Sequence, residues 1–395
     1  MSFRSLAYIL VLACLVATHR QADAQATIAD SLWSTITEIP SDTAKVNAVI
    51  RDALWLGNRL KNSEQQEALL EKGLALATRI GYPHGIAECE NMLGVFNREN
   101  SRYEQAIGLH QKALQIAEQL KDSNLIAYSL NNLGVAYRRL DQNEQAFQYH
   151  LRALKIAEAT GDKRNQTVAI NSIGNIQLSL GNYQDAIGEF TKALEIETAA
   201  DNNLGIAINY ANMGACWEGL GHLDKAIPLY EKSLSFNEKA GSYTGIAICC
   251  NLLGNAYLQR GNYDRAIQFL RRALSVHNQV HDKINVAENL ITIGKILMKQ
   301  HHPDSALASM QEGLAIAREI NSRTMMIEGL RAISDAEYHS GDRDAAYKAL
   351  EQAYGMRDSL YVQQAAPQMA KMRALYELNK KDNQIKLLEQ GNQIK

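Results

Sequence analysis

Apolar and polar residues follow one another along this chain with two superposed periods. The short one is helical, with apolar side chains recurring at the three-to-four-residue spacing that lines one face of an α-helix. The long one is forty residues. The stretches Asn91-Met92-Leu93-Gly94, Asn131-Asn132-Leu133-Gly134, Asn171-Ser172-Ile173-Gly174, Ala211-Asn212-Met213-Gly214 and Asn251-Leu252-Leu253-Gly254 stand in one register, and Gly294 continues it. Twelve residues after each glycine comes an alanine: Ala106, Ala146, Ala186, Ala226, Ala266 and Ala306. Twenty residues after it come Leu114, Leu154, Leu194, Leu234, Leu274 and Leu314, and Tyr354 closes the series. A seventh unit keeps Ala346 but carries Ser334 for glycine; upstream, Leu74 extends the register and places Leu54 at the glycine position. Each unit predicts two helices, A and B, parted by a turn such as Gly181-Asn182 or Gly261-Asn262.

A glycine inside a helix costs about 1 kcal/mol relative to alanine, so its recurrence calls for a gain in packing. The expected gain is close approach: glycine on helix A faces alanine on helix B, and the leucine fills the space beside them. One helix pair cannot bury its apolar face alone, whereas stacked pairs build a continuous core. Pro83 and Pro303 fall where helices should start, and Pro228 falls further inside one, where it should bend the helix locally.

Composition narrows the class. Only 5 prolines and 7% aromatic residues accompany 46% hydrophobic residues, which suits an all-α chain and disfavours sandwiches and barrels. With 41 basic against 43 acidic residues the net charge is −2, so nothing global favours nucleic acid as a partner.

The motifs themselves resemble a known family. Gly followed three residues later by Tyr or Trp (Tyr137, Trp217, Tyr257), then the recurrent alanine and a later one (Ala113, Ala153, Ala193, Ala273), is similar to the tetratricopeptide repeat. The resemblance covers residues 42–361 as eight units: 42–81, 82–121, 122–161, 162–201, 202–241, 242–281, 282–321 and 322–361. It implies a right-handed α-solenoid, with helices longer than the usual 34-residue repeat allows, as in kinesin light chains and peptide-sensing regulators. It also implies that the A helices line a concave groove. There, Asn91, Asn131, Asn171 and Asn251, three residues before their glycines, would repeat every turn of the array, and Asn175 and Asn255 follow theirs by one. An asparagine amide offers donors and an acceptor, so such a ladder would clamp the backbone of an extended peptide. Arg98 and Arg138, four residues past their glycines, would pair with an acidic side chain or terminal carboxylate. The alternative for the asparagines is that they bond helix to helix.

Both chain ends read differently. Met1-Ser2-Phe3-Arg4, the apolar run Leu6–Val16 and Ala22-Asp23-Ala24 form a signal-peptide pattern with cleavage before Gln25. Residues 1–24 thus predict export to the periplasm, residues 25–41 a cap or linker, and residues 362–395 a separate C-terminal helix. In that tail Met369, Met372, Leu375, Leu378, Ile385 and Leu388 space out a narrow apolar seam. It reads as a capping helix or as a coiled coil giving weak homodimers. The coiled-coil reading resembles the juxtamembrane stretch of membrane sensors with histidine kinase or DNA-binding regions. A membrane enters only if the gene continues into a transmembrane helix.

Chemistry-bearing motifs are few. No P-loop, zincin, nucleophile-elbow or dinucleotide fingerprint is present. No cofactor or metal is expected, although His277 and His281 stand four apart before Asp282. His110 and His150 share a position filled elsewhere by Phe190, Tyr230, Leu270 and Met310, and read as packing residues. Cys89, Cys216, Cys249 and Cys250 form no CxxC pair and read as buried thiols. The resulting function is a non-catalytic module that binds a protein or peptide segment, with the sensor region of a transmembrane signalling protein as the alternative.

Overall fold

The computed structural model describes residues 28–56 and 63–357. The signal-peptide pattern at 1–24 and the C-terminal segment at 362–395 lie outside the described residues. Among the described residues the chain is helical throughout, with 17 helices in successive packed pairs and no strand. After α1 (28–37) the A helices are α2 (Asp42–Trp55), α4 (Pro83–Glu99), α6 (Ser123–Arg139), α8 (Lys163–Ser179), α10 (Asn203–Gly219), α12 (Tyr243–Gln259), α14 (Lys283–Lys299) and α16 (Arg323–Ser340). The B helices are α3 (Ser63–Arg79), α5 (Tyr103–Leu120), α7 (Asn143–Thr160), α9 (Tyr183–Ala199), α11 (Leu223–Lys239), α13 (Tyr263–Gln279), α15 (Pro303–Glu319) and α17 (343–357). This is the stacked-hairpin architecture of an α-solenoid. The chain forms two compact units, one up to Gly205 and one from Ile206.

Every hairpin turn has the same build. A residue of positive φ stands at each twentieth position from Gly81 to Gly341, and the next N–H reaches back five residues to the helix just ended, as from Arg102 to the Asn97 carbonyl at 2.8 Å. That is the left-handed C-terminal cap of a helix. Seven of these positions are glycine; the others, including Ser101, Lys121 and Asp141, adopt the same conformation with a side chain. Asp122 and Asp162 then cap the next helix, each accepting from a backbone N–H at 3.0 Å. Pro83 and Pro303 occupy first-turn positions, and α11 runs as one helix through Pro228.

The recurrent glycines have a further partner besides the alanine expected for them. A Cβ at Gly94 would lie 2.4 Å from the His110 ring, at Gly134 2.4 Å from His150, at Gly174 2.6 Å from Phe190 and at Gly214 2.5 Å from Tyr230. Leu270 and Met310 fill the same place opposite Gly254 and Gly294. The glycine therefore admits the large B-helix side chain sixteen residues on. The expected approach to the alanine backbone is seen beside it at Gly254 and Gly294, where a Cβ would stand 3.4 and 2.9 Å from the Ala266 and Ala306 carbonyl oxygens. In the seventh unit, Ser334 meets that need by hydrogen bonding: its hydroxyl donates to the Ala346 carbonyl at 2.8 Å. The register also shifts in the first unit, where Leu54 is exposed and its neighbour Ala53 is buried.

Around these contacts each unit builds a series of core clusters that join neighbouring helices. In the first, Leu114, Leu130, Leu133, Ala153 and Ala169 join α5, α6, α7 and α8; in the second, Tyr230, Leu234, Cys250, Leu253 and Ala273 join α11, α12 and α13. The four cysteines are free and buried, and burial pushes the Cys89 thiol up to about 12. They serve as small apolar side chains.

Candidate functional site

Residues at i, i+4, i+7, i+11 and i+14 share one face of a helix. On α4 this stripe is His84, Glu88, Asn91, Val95 and Arg98; on α6 it is Asn124, Tyr128, Asn131, Val135 and Arg138. The candidate site residues thus share a face, but they sit at different depths.

Asn91 and Asn131 lie at the bottom, buried between helices. Asn91 Nδ2 donates to Ser129 Oγ at 2.8 Å, and Ser129 gives its own proton to the Leu125 carbonyl. The amide orientation is therefore set, and Asn91 Oδ1 must accept from His110 Nδ1, 2.9 Å away. Asn131 repeats the arrangement: Nδ2 donates to the Asn165 carbonyl at 3.1 Å, and Oδ1 accepts from His150 Nδ1 at 3.1 Å. Both histidines are thus the Nδ1–H tautomer, with Nε2 buried and unpartnered. Burial, aided by the charge of Arg98 or Arg138, holds each of them down to about 3. Each asparagine ties its A helix to its own B helix and to the next A helix. The backbone clamps expected at Asn91 and Asn131 are accordingly corrected to helix-to-helix ties, since both ends of each amide are already engaged.

Asn171 and Asn251 are half-buried, in units whose B helices carry Phe190 and Leu270 where the others carry His110 and His150. Their Oδ1 atoms are buried with no partner, while Asn251 Nδ2 lies 3.4 Å from His277 Nε2. Asn175 is half-buried and Asn255 exposed on the same stripe. Changing Asn131 to Ala should therefore lower stability by about 1–3 kcal/mol, because the buried His150 N–H loses its acceptor and the tie from α6 to the Asn165 carbonyl is lost. A melting curve unchanged within about 0.5 kcal/mol would return Asn131 to the ligand face.

Arg98 and Arg138 stand at the far end of the stripe, half-buried. Burial lowers both guanidinium groups from their ordinary value, and Arg139 pushes in the same direction. Arg98 Nη1 donates to Asn132 Oδ1 at 3.4 Å. Asn132 is a residue that reading the repeat alone passes over, since it falls between the recurrent asparagine and the leucine.

Each unit opens a cavity, in the first among its A helices and in the second between α14, α16 and the B helices α15 and α17. In the first, one of about 430 Å³ is lined by Leu54, His84, Glu88, Tyr128, Asp162 and Arg164 among others. In the second, one of about 1160 Å³ is lined by Lys295, Met298, Arg331, Asp335, Leu350 and Tyr354 among others. The A helices expose large apolar side chains: Ile208 is 53% and Ile248 51% exposed, and Ile284 is exposed too. Among the described residues no group of three or more His, Cys, Asp or Glu is placed to hold a metal ion. His277 is buried, beside Asn251 and 3.5 Å from the Asp282 carboxylate.

Comparisons with known proteins agree with this architecture. No curated protein sequence matches the chain. Among solved structures, the chain is similar to a signal transduction ATPase with numerous domains from Pyrococcus horikoshii, one that carries a tetratricopeptide repeat sensor. The TM-score is 0.66 at 15% identity, covering 84% of this chain and 50% of that one; the chain thus spans half that protein's length. It is similar also to the apo form of the quorum sensor NprR from B. thuringiensis, with TM-score 0.61, 13% identity and coverage of 86% and 95%. A Rap conjugation gene regulator of plasmid pLS20, solved in complex with a Phr peptide, matches with TM-score 0.51, 18% identity and coverage of 73% and 78%. At these identities the likeness concerns the fold. The family model for tetratricopeptide repeats matches residues 85–159, 166–239 and 247–319, more than half of the sequence, and with the stacked hairpins and their glycine register it establishes that the chain belongs to the tetratricopeptide repeat family.

Proposed function

We propose that the protein is a non-catalytic scaffold that holds an extended peptide segment along the exposed face of its A helices. The observation that carries this reading is that face itself. In each unit a cavity adjoins it, and it leaves Ile208 and Ile248 uncovered on successive A helices. Exposed apolar side chains beside polar ones make a surface suited to partner binding. The fold-level likeness to a Rap regulator solved with a peptide supports a ligand of that kind. Export, which the pattern of residues 1–24 suggests, belongs to the proposal, as does a sensing role if the gene continues beyond Lys395.

The test uses peptides selected from a random library against the full chain. Ile208→Glu and Ile248→Glu should each weaken the selected peptides at least about tenfold, a loss of roughly 1.4 kcal/mol per site. Melting should stay within about 0.5 kcal/mol of the parent, since both side chains are exposed. Peptides that bind equally to both variants would place the ligand elsewhere and overturn the reading.

A further inference from the structure

We infer that the face carrying Ile208 and Ile248 selects peptides of polyproline II form, with apolar residues three apart and a basic residue three beyond the last of them. This names the ligand class of the peptide-binding reading above and rests on it. The observation behind it is a row of three side chains in the second unit. Ile208, Ile248 and Glu288 stand forty residues apart, at one position of the successive A helices α10, α12 and α14, and all three are exposed. One turn before Glu288 on α14 lies Ile284, also exposed, and residues four apart on a helix are surface neighbours. Among the described residues Glu288 forms no ion pair, whereas Glu328, the next in the row, is already held by Lys295 at 2.7 Å. The row thus passes from two uncovered aliphatic side chains to a free carboxylate beside a third. A lysine or arginine complements that end in charge and shape, its stem on Ile284 and its cation at Glu288.

The spacing of the row selects the conformation of the ligand. Directly packed helices stand about 8–10 Å apart. The A helices of this unit are such neighbours: Gln259 on α12 donates to Glu218 on α10 at 2.6 Å, and Leu258 on α12 packs in one cluster with Ile293 and Ile296 on α14. An extended strand returns a side chain to one side every two residues, about 6.6 Å. One such step falls short of the next helix, and two overshoot it. Polyproline II repeats every three residues, about 9.3 Å, and stays in step across all three helices. Its backbone makes no internal hydrogen bonds, so it has groups to offer the exposed hydroxyl of Thr244, one turn before Ile248. A helical ligand has its backbone groups already paired.

Calorimetry of the full chain with defined peptides tests this. The probes are a capped heptapeptide with leucine at its first and fourth positions, lysine at its seventh and proline between them, and the reversed sequence, since either chain direction satisfies the row. The prolines hold the polyproline II form. One control sets the leucines and lysine two apart, a second has glutamate for lysine, and a third sets them seven apart on an alanine-rich helical peptide. The tighter heptapeptide should exceed every control at least about tenfold. Glu288→Lys, at an exposed position, should reverse the preference, so that the glutamate control binds better than the lysine peptide. A control that binds the parent chain as tightly, indifference to Glu288→Lys, or no binding by either heptapeptide would each overturn the inference. Library-selected peptides that depend on Ile208 and Ile248, yet show neither the three-residue spacing nor a basic residue, would overturn it and leave the peptide-binding reading standing.

Discussion

Replacing Gly174 by leucine is expected to lower the stability of the array by about 2–4 kcal/mol. The reason is a single ring. Phe190 is fully buried on α9, and its ring already occupies the place where a side chain on residue 174 would begin, 2.6 Å from a Cβ there. Truncating Phe190 to alanine should itself cost about 3–5 kcal/mol, by opening a cavity of the same shape. The two changes compete for one volume, so together they should cost less than their sum by at least about 1 kcal/mol. Denaturant midpoints of the parent, both single variants and the double variant measure this directly. Strict additivity would show that Gly174 is required for some reason other than Phe190.

Acid should unfold the array early, through two side chains. His110 and His150 are held neutral to about 3 in the folded chain, against an ordinary value of 6.5. Their folded values are depressed, so the unfolded chain takes up protons first, and stability rises with pH across this interval. The contribution is fully present above about pH 6.5 and is lost progressively as pH falls toward about 3. By pH 4.5 each histidine should have withdrawn roughly 2–3 kcal/mol. Protonation would place an N–H at a buried Nε2 with no acceptor and a charge near Arg98 or Arg138. His150→Phe puts at this position the residue that the next unit carries there, Phe190, under a glycine that admits a ring in both cases. Its melting temperature should fall about half as steeply between pH 6.5 and 4.5. An unchanged slope would assign the acid sensitivity to other groups.

How far the sequence was legible follows from which relations lie within one helix. The glycine, alanine and leucine series announced the hairpins because each recurs along the chain at a fixed interval. The glycine's partner did not announce itself: His110, Phe190, Tyr230 and Met310 have no residue type in common, only the volume they place opposite a missing Cβ. Asn91 and Asn131 misled for a related reason. A polar residue beside an apolar run reads as surface, and only the three-dimensional register brings His110 and His150 against them. The spacing alone is ambiguous, since asparagine stands nineteen residues before His110 and His150 but also before Phe190 and Leu270. Asn132 was less visible still, since its neighbour Arg98 stands thirty-four residues away on the preceding A helix.

The turns bear on how such a chain can change length. They repeat every twenty residues with one geometry, so nothing in the backbone separates a turn inside a unit from a turn between units. The side chains make the distinction. Gly94 and the His110 ring lie on either side of the turn at Ser101, whereas no ring meets a glycine across the turn at Lys121, and across the between-unit turns at Asp201 and Gly241 the glycines Gly205 and Gly245 meet the polar ends of Glu197 and Asn237. A chain shortened or lengthened by twenty residues would strand a large side chain without its recess, or leave a recess empty. One that gains or loses forty, cut at Lys121 or Gly161, keeps every ring with its glycine. Gain or loss of a whole unit therefore preserves these ring–glycine pairs and gain or loss of a single helix does not, although the backbone would accept either.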